Sequence, residues 1–569
     1  MRARKARKRM NSWLPKALRR WVCIGVLAFG AVSSENRCTP TLLAPWDRVA
    51  LPVAKKTREK KTSGLRYWML QVLEGCKNVE ADFGSDPVHD LRVALRRCRS
   101  LADGLMALDP DPEWKAMKKS GKRLFQRLGD LRDIHVMEEW VEKLAEAERG
   151  GEKAEAAEVR NDAAGQQTGS QDSADPPATR LMKILRVREQ EHKREAQAAL
   201  EEFDRKQWRR WSQSLPARAA HIRPGNALFK HLALERWTQA RELHKRALRN
   251  RSQTAFHSLR IGIKRFRYIV ENFLLEEHKA WSDDLKEMQD VLGEVHDLDV
   301  LWSTSVSCQI FPDTASRNNW HQQILAERGK RIERYRERML GEQSLWKVWR
   351  SGLPQGKQVQ ELATRRMKLW AKSLDPDFMH SERVAGLALQ LFDGLLSTGW
   401  EPAVDGASSR SSLMAAALLH DVGKFKGEKN HQKTSRDLIR EHGNPLGWKE
   451  VETQRAAIVA RFHRGALPTR RHKLLRDLLP DEQKATIQLS AILRLANALD
   501  AGHDGRIRRI RVENNPFRAK GNEALVIAAE GYSPTGDGAR TIAAERHLLE
   551  TILHRPVMMR AMKSATRVG

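Results

Sequence analysis

Two distant stretches of the chain, "VHDLRVALRRCRS" (Val88 to Ser100) and "FHSLRIGIKRFRY" (Phe256 to Tyr268), carry one pattern twice. Each opens with a histidine and continues with cations at the spacing of a single helix face. At about 100° per residue, His89, Arg92, Arg96 and Arg99 fall within an arc of roughly 80°. His257, Arg260, Lys264 and Arg267 repeat that spacing. The flanking face is apolar, with Val88, Leu91 and Leu95 in one copy and Leu259, Ile263 and Phe266 in the other. A second motif follows each stretch: "LGDLRDIHVM" (Leu128 to Met137) and "LGEVHDLDVL" (Leu292 to Leu301). Two motifs recurring in the same order imply an internal duplication, and therefore a bundle made of two related halves.

The rest of the chain fits around that duplication. Its 569 residues exceed what one core holds, so several domains are expected. From about Thr57 apolar residues recur at helical spacing almost throughout. The reading is a basic and apolar N-terminal segment (1–56), a first half (57–145), a flexible insertion (146–179) and a second half (180–349). A linker (350–360), a second helical domain (361–505) and a C-terminal hairpin and helix (506–569) follow. The insertion is read from composition: Ala, Gly, Gln, Ser and Asp dominate, too little apolar surface to offset ordering entropy. "SGLPQGKQ" (Ser351 to Gln358) marks the linker, and "RIRRIRVE" with "ALVIAAEG" reads as two strands of a hairpin. The first 20 residues hold nine Lys or Arg and no acid, and the apolar run Trp21 to Val32 follows. That resembles a signal peptide, which leaves export open. The run is too short for a transmembrane helix of roughly 17–25 residues, so no integral membrane span is expected.

Charge narrows the partners. Lys plus Arg number 102 against 72 Asp plus Glu, giving a net +30 and a pI near 10.1. Such a surplus suits nucleic acid, inorganic polyphosphate or an anionic membrane. A spaced row of cations neutralises a linear polyanion phosphate by phosphate, and the arginine fork matches phosphate oxygens. A neighbouring histidine adds a donor once protonated. Nucleic-acid bases call for aromatic platforms between the cations, and the stripes hold almost none, so nucleic acid ranks behind a base-free polyanion. The five cysteines are scattered and form no Cys-x-x-Cys, which excludes a disulfide framework and a thiolate zinc site and fits a reducing compartment.

The second helical domain carries different chemistry. "HSERV" begins at His380, and "AALLHDVGKF" sets His420 beside Asp421 with Lys424 one turn further. Imidazoles and carboxylates together suit one divalent ion such as Mn, Mg, Fe or Ni. Such an ion polarises a phosphoryl oxygen and lowers the pKa of bound water. Lys424 is placed to steady phosphate charge, and His431 and His463 follow downstream.

With those residues in place, "HDLRVALRRCRS", "LGDLRDIHV", "HSLRIGIKRFRY" and "LGEVHDLDV" resemble the CHAD family, the conserved histidine α-helical domain, over roughly Thr57 to Trp349. The resemblance implies a pseudo-symmetric bundle with a basic groove that binds inorganic polyphosphate. His89, Arg92, Arg96, Arg99, His257, Arg260, Lys264 and Arg267 would line it, with Arg132 added and His296 as its counterpart; Arg97 and Arg265, off the stripe, are expected to face solvent. "NHQKTSRDLI", "ARFHRGALP" and "LRLANALDAGH" resemble the C-terminal HD-like domain of the exopolyphosphatase/guanosine pentaphosphatase family, over about Phe378 to Leu553. The duplicated bundle occupies the place of the actin-like domain that carries catalysis in those enzymes. In HD hydrolases the implied metal ligands are His380, His420, Asp421 and an aspartate at the position that reads Asn497 here; Asp500, one turn on, is the alternative. Thr434 stands where a histidine is usual. Asp421, Lys424 and His463 are the implied catalytic groups, and His431 and Arg464 the implied phosphate contacts.

The expected fold is mainly α: a duplicated, pseudo-two-fold helical bundle, then an HD-type all-helical domain with a small C-terminal β-hairpin plus helix. The expected function is polyphosphate binding joined to a metal-dependent phosphohydrolase acting on polyphosphate or a phosphorylated nucleotide. The alternatives are a non-catalytic polyphosphate receptor or scaffold with a degenerate HD domain, and a nucleic-acid binder. The expected location is the cytoplasm, in association with polyphosphate granules.

Overall fold

The computed structural model describes residues 64–109, 111–159, 175–220, 222–223, 225–514, 524–536 and 538–562. The N-terminal signal-like segment (1–56) and the middle of the insertion lie outside the described residues.

Among the described residues, eleven helices build the first unit: α1 (Leu65–Ala81), α2 (Ser85–Leu105), α3 (Pro112–Ser120), α4 (Lys122–Val159), α5 (Pro177–Glu201), α6 (Arg205–Ala219), α7 (Ala227–Asn250), α8 (Gln253–Phe273), α9 (Leu275–Ser307), α10 (Thr314–Met339) and α11 (Leu345–Ser351). The two stripe helices form because each offers a continuous apolar face. Val88, Leu91, Leu95, Cys98 and Leu105 are buried along α2; Phe256, Leu259, Ile263, Phe266, Val270 and Phe273 are buried along α8. Ser252 caps α8 by accepting from the Ala255 amide at 3.3 Å, and Arg251 at φ +49° ends α7 just before it. One core runs through the helices of both halves, and a smaller one joins the middle of α4 and the end of α9 to the starts of α5 and α10. Helix α4 continues past Glu146 to Val159, so the stretch expected to be a flexible insertion opens as helix. Its Ala- and Glu-rich composition lacks large apolar residues but has high helix propensity, which extends the helix beyond the part that packs. The irregular linker is likewise short, residues 352–356, because α11 reaches Ser351 and α12 begins at Lys357.

The second unit comprises α12 (Lys357–Leu374), α13 (Phe378–Ser397), α14 (Gly406–Leu419), a 3₁₀ turn (Val422–Lys426), α15 (His431–His442), α16 (Glu450–Arg461) and α17 (Pro480–Leu499). Then come β1 (Ile510–Asn514), β2 (Leu525–Glu530), α18 (Gly538–Leu553) and β3 (Val557–Met562). The sheet order is β1-β2-β3, with β1 antiparallel and β3 parallel to β2. The expected pair of antiparallel strands is present as β1 and β2, and a third, parallel strand that was not expected extends it to a mixed sheet. A parallel third strand needs a crossover, which α18 supplies. Central β2 is buried on both faces, and β1 lies against α13, where Val512 approaches Gly394 so closely that a Cβ there would stand 2.6 Å from it.

The units touch through α7 and α12. Arg366 donates to Glu235 at 2.7 Å, and Val359 and Leu446 pack against the first core. No helix among the described residues is long and apolar enough to cross a membrane.

Candidate functional site

The duplication brings its two cationic stripes together. Helices α2 and α8 pack on each other: Asn272 Nδ2 donates to Ser100 Oγ at 3.0 Å, and Arg97 pairs with Glu271 at 2.5 Å. At Gly104 a Cβ would stand 2.1 Å from the Phe273 ring, so only glycine permits this approach. The expectation that Arg97 faces solvent is thus corrected, whereas Arg265 is exposed. Lys264 from α8 lies among Arg96 and Arg92 of α2 and Arg260 and Arg267 of its own helix. Burial first, then those four guanidiniums, push its pKa down to about 7. The Leu-Gly motif has a steric role. Arg92 lies flat on α4, donating to the Leu128 carbonyl at 2.9 Å, and a Cβ at Gly129 would stand 2.9 Å from its Nη1. Arg260 faces Gly293 of α9 in the equivalent place, 4.0 Å from where a Cβ would be. The Nε atoms of Arg260 and Arg267 are buried without an acceptor. Asp297, from the second Leu-Gly motif, is pushed up to about 6 by burial against the pull of Arg260, and its counterpart Asp133 faces the same cations.

Other stripe residues depart from the expected lining. His89 is exposed beside Asp90 at 3.4 Å, whereas His257 sits against His296 with their Nδ1 atoms 3.2 Å apart. Arg99 is engaged by the Lys118 carbonyl, to which it donates at 3.2 Å, and shares the Phe125 ring with Arg92. Arg132 is engaged by Ser85 and Glu139, and Arg267 lies 3.9 Å from Glu271. The shared cationic seam therefore centres on Arg92, Arg96, Arg260 and Lys264.

In the second unit, helix ends bring four histidines around one carboxylate. His420 ends α14, His431 opens α15, His463 follows α16, and His380 lies in the first turn of α13. Three of them reach back three residues to a carbonyl: His420 Nδ1 to Ala417 at 2.7 Å, His431 Nδ1 to Glu428 at 2.9 Å and His463 Nδ1 to Ala460 at 2.8 Å. A carbonyl only accepts, so each Nδ1 carries a hydrogen and each neutral Nε2 presents a lone pair. His380 is fixed the same way by Asp500 Oδ2, 2.8 Å from its Nδ1.

These Nε2 atoms converge on Asp421. Its Oδ1 lies 3.1 Å from His431 Nε2 and 3.6 Å from His463 Nε2, and its Oδ2 lies 3.5 Å from His420 Nε2. The Nε2 atoms of His431 and His463 are 3.3 Å apart. His420 Nε2 and Asp421 Oδ1 are buried without hydrogen-bond partners. Burial holds His420 and His463 below the usual imidazole range, hence neutral. Burial opposes the Asp421 charge, but the Lys424 ammonium, at 2.7 Å, draws its carboxyl back below the usual range. Facing lone pairs and a buried carboxylate leave room for positive charge between them. Two triplets, His380–His420–Asp421 and Asp421–His431–His463, each place ligand atoms within 4.8 Å of one another. Nitrogen and carboxylate donors at this spacing fit a borderline divalent ion, with Asp421 common to both triplets.

Asn497 contacts His380 Nε2 at 3.0 Å, so its carboxamide joins the first triplet. Asp500 does not. It accepts from His380 Nδ1, from Arg383 Nε at 2.9 Å and from the Gly505 amide at 3.0 Å, so it orients His380 from behind. Arg464 is exposed and makes no hydrogen bond or ion pair among the described residues. The sequence reading missed His503, which stacks on His380 at 3.9 Å and donates to Asp377 at 2.5 Å, and Ser435. Ser435 Oγ donates to the His420 carbonyl at 2.6 Å and accepts from the Gly423 amide at 2.9 Å. "DAGHDG" around His503 offered only a turn signal.

Residues 69–304 match the family model of the CHAD domain, and residues 364–533 match that of the Ppx/GppA phosphatase, domain III. No curated protein matches the chain. The chain thus joins a domain of the polyphosphate-binding kind to a phosphatase-family domain, a pairing that points to polyphosphate-related phosphatase chemistry.

Proposed function

We propose that this protein captures inorganic polyphosphate on the seam and hydrolyses phosphoanhydride or phosphate-ester bonds at the His–Asp centre, which we read as an HD-type site requiring a divalent metal. The observation that carries this reading is the convergence of the Nε2 atoms of His420, His431 and His463 on the buried Asp421 carboxylate, with His380 within ligand distance beside them. His380, His420 and Asp421, with the Asn497 carbonyl oxygen, would hold the ion, and His431 and His463 would stand on the far side of Asp421. When bound, the metal supplies a Lewis acid for a phosphoryl oxygen and lowers the pKa of water. The chain supplies the rest. Backbone carbonyls and Asp500 lock the imidazoles, and Lys424 holds positive charge beside Asp421 where phosphate charge develops. The centre is buried, so those interactions act in a medium of low dielectric. Free, buried Cys76 and Cys98 accord with a reducing, cytoplasmic setting. Purified protein with Mn²⁺ or Mg²⁺ is expected to release phosphate from polyphosphate or from a phosphorylated nucleotide. Release from neither class would refute hydrolysis.

A second reading has its own support. Asn497 presents its Oδ1 to His380 Nε2 at 3.0 Å, and with the carboxamide turned over its N–H would donate to that nitrogen and close that side of the centre without a metal, which suits a non-catalytic polyphosphate receptor. Metal analysis separates the two: a stoichiometric transition metal supports the enzyme, and metal-free protein supports the receptor. Competition at equal phosphate concentration tests nucleic acid, which is expected to lose to polyphosphate.

A further inference from the structure

Helix α16 ends in Arg461, a residue only 8% exposed whose guanidinium makes no ion pair and no hydrogen bond among the described residues, with Nη1 fully buried. A buried cation without a counter-charge is expensive, and the usual resolution is a partner carboxylate. Arg461 has none. Instead its guanidinium lies 5.4 Å from the Phe462 ring, and His472 lies against that same ring at 4.9 Å. His472 Nδ1 accepts from the Leu474 amide at 3.2 Å, so its Nε2 carries the hydrogen and is a donor. Arg436 of α15 adds charge of the same sign, and its own partner is the half-exposed neighbouring Asp437. The loop that carries His472 also holds exposed Arg470, Arg471 and Lys473, with Asp477 its single acid.

Convergent donors, an apolar floor of Phe462 and Leu475 and no facing carboxylate describe a receptor for a small, highly charged oxyanion. We infer that Arg461, Arg436 and His472 form a phosphate-binding site separate from both the seam and the His–Asp centre. The guanidinium of Arg461 supplies the buried contact, and Arg436 and His472 close the rim. The site is joined to the centre through the backbone, since His463 follows Arg461 by two residues. Arg494 pins that segment by donating to the carbonyls of Phe462 at 3.1 Å and Gly465 at 3.2 Å. A phosphate held by Arg461 therefore bears on the placement of His463.

The ligand is a phosphate dianion, either free orthophosphate or the terminal group of a chain. Equilibrium dialysis of the full chain carrying Arg92→Ala and Arg260→Ala, with a chelator present, removes main contributions of the seam and of any metal. In that background one equivalent of radiolabelled orthophosphate or tripolyphosphate is expected to bind. The rim variant Arg436→Gln with His472→Gln is expected to weaken it at least tenfold, and Arg461→Met to abolish it. Preference for orthophosphate assigns the site to free phosphate, and preference for tripolyphosphate assigns it to a chain end. Absence of binding by both ligands, or a rim variant that binds like its parent, overturns the inference. The rim variant decides even where Arg461→Met fails to fold. Because binding is read without metal or turnover, the result stands whether or not the protein is a hydrolase.

Discussion

Single residues carry the chemistry, and three of them give direct tests. Lys264 is held near pKa 7 by burial and by Arg96, Arg260, Arg92 and Arg267, against about 10.4 in an unfolded chain. Between those values the unfolded chain binds more protons, so this lysine costs the empty protein stability below about pH 7. That cost fades as the pH rises toward 10.4. A bound polyanion favours the ammonium form. Capture above pH 7 should then take up close to one proton, and affinity should fall as pH climbs. Calorimetry at pH 8 in two buffers of different ionisation heat measures that uptake, which Lys264→Arg is expected to remove. At the His–Asp centre, Asn497→Asp restores a charged donor beside His380 and is expected to raise metal affinity by about tenfold or more. Asp500→Asn loosens the imidazole it orients and is expected to lower metal affinity by about 10–100-fold. Chelator competition reads both, and an unchanged affinity in Asn497→Asp would remove that residue from the ligand set.

Between elements, glycines set the approach distances. Gly423 lets the 3₁₀ turn after Asp421 press on α15: an added Cβ would stand 2.1 Å from the His431 carbonyl and 2.6 Å from the Ser435 amide. Both obstacles are backbone, so neither can swing aside. Gly423→Ala is expected to destabilise the fold by about 1–3 kcal/mol in denaturant unfolding and to separate His431 from Asp421. The "DVGK" stretch was legible as a motif, but the reason for its glycine was not, because the clashing atoms lie on a helix that sequence does not bring near. The third strand was hidden for a related reason. "VMMRAM" is a strand only because α18 returns the chain to the open edge of β2.

At the scale of the molecule, the duplication decides whether two ordinary basic helices become one site. Removing one cation from each half, as in Arg92→Ala with Arg260→Ala, is expected to weaken polyphosphate capture sharply. It should also flatten the dependence of log K on log salt by roughly one to two units, since each lost phosphate contact removes counterion release. A salt slope equal to that of the parent would mean that the seam does not hold the polyanion.

Periodicity and repetition alone determined the helical class, the two halves and the cationic faces; the His–Asp pair of the second unit was visible as a motif. Those are properties of residues a turn apart, which a helix places on one side whatever surrounds it. Only the tertiary structure decided which cations meet. It turned Arg99 and Arg132 to neighbours, left His89 in solvent and pressed Lys264 among four guanidiniums. Only tertiary structure, too, fixed each imidazole's tautomer and moved Asp500 behind His380. Those outcomes depend on carbonyls, carboxylates and helix faces that packing alone brings within hydrogen-bond reach.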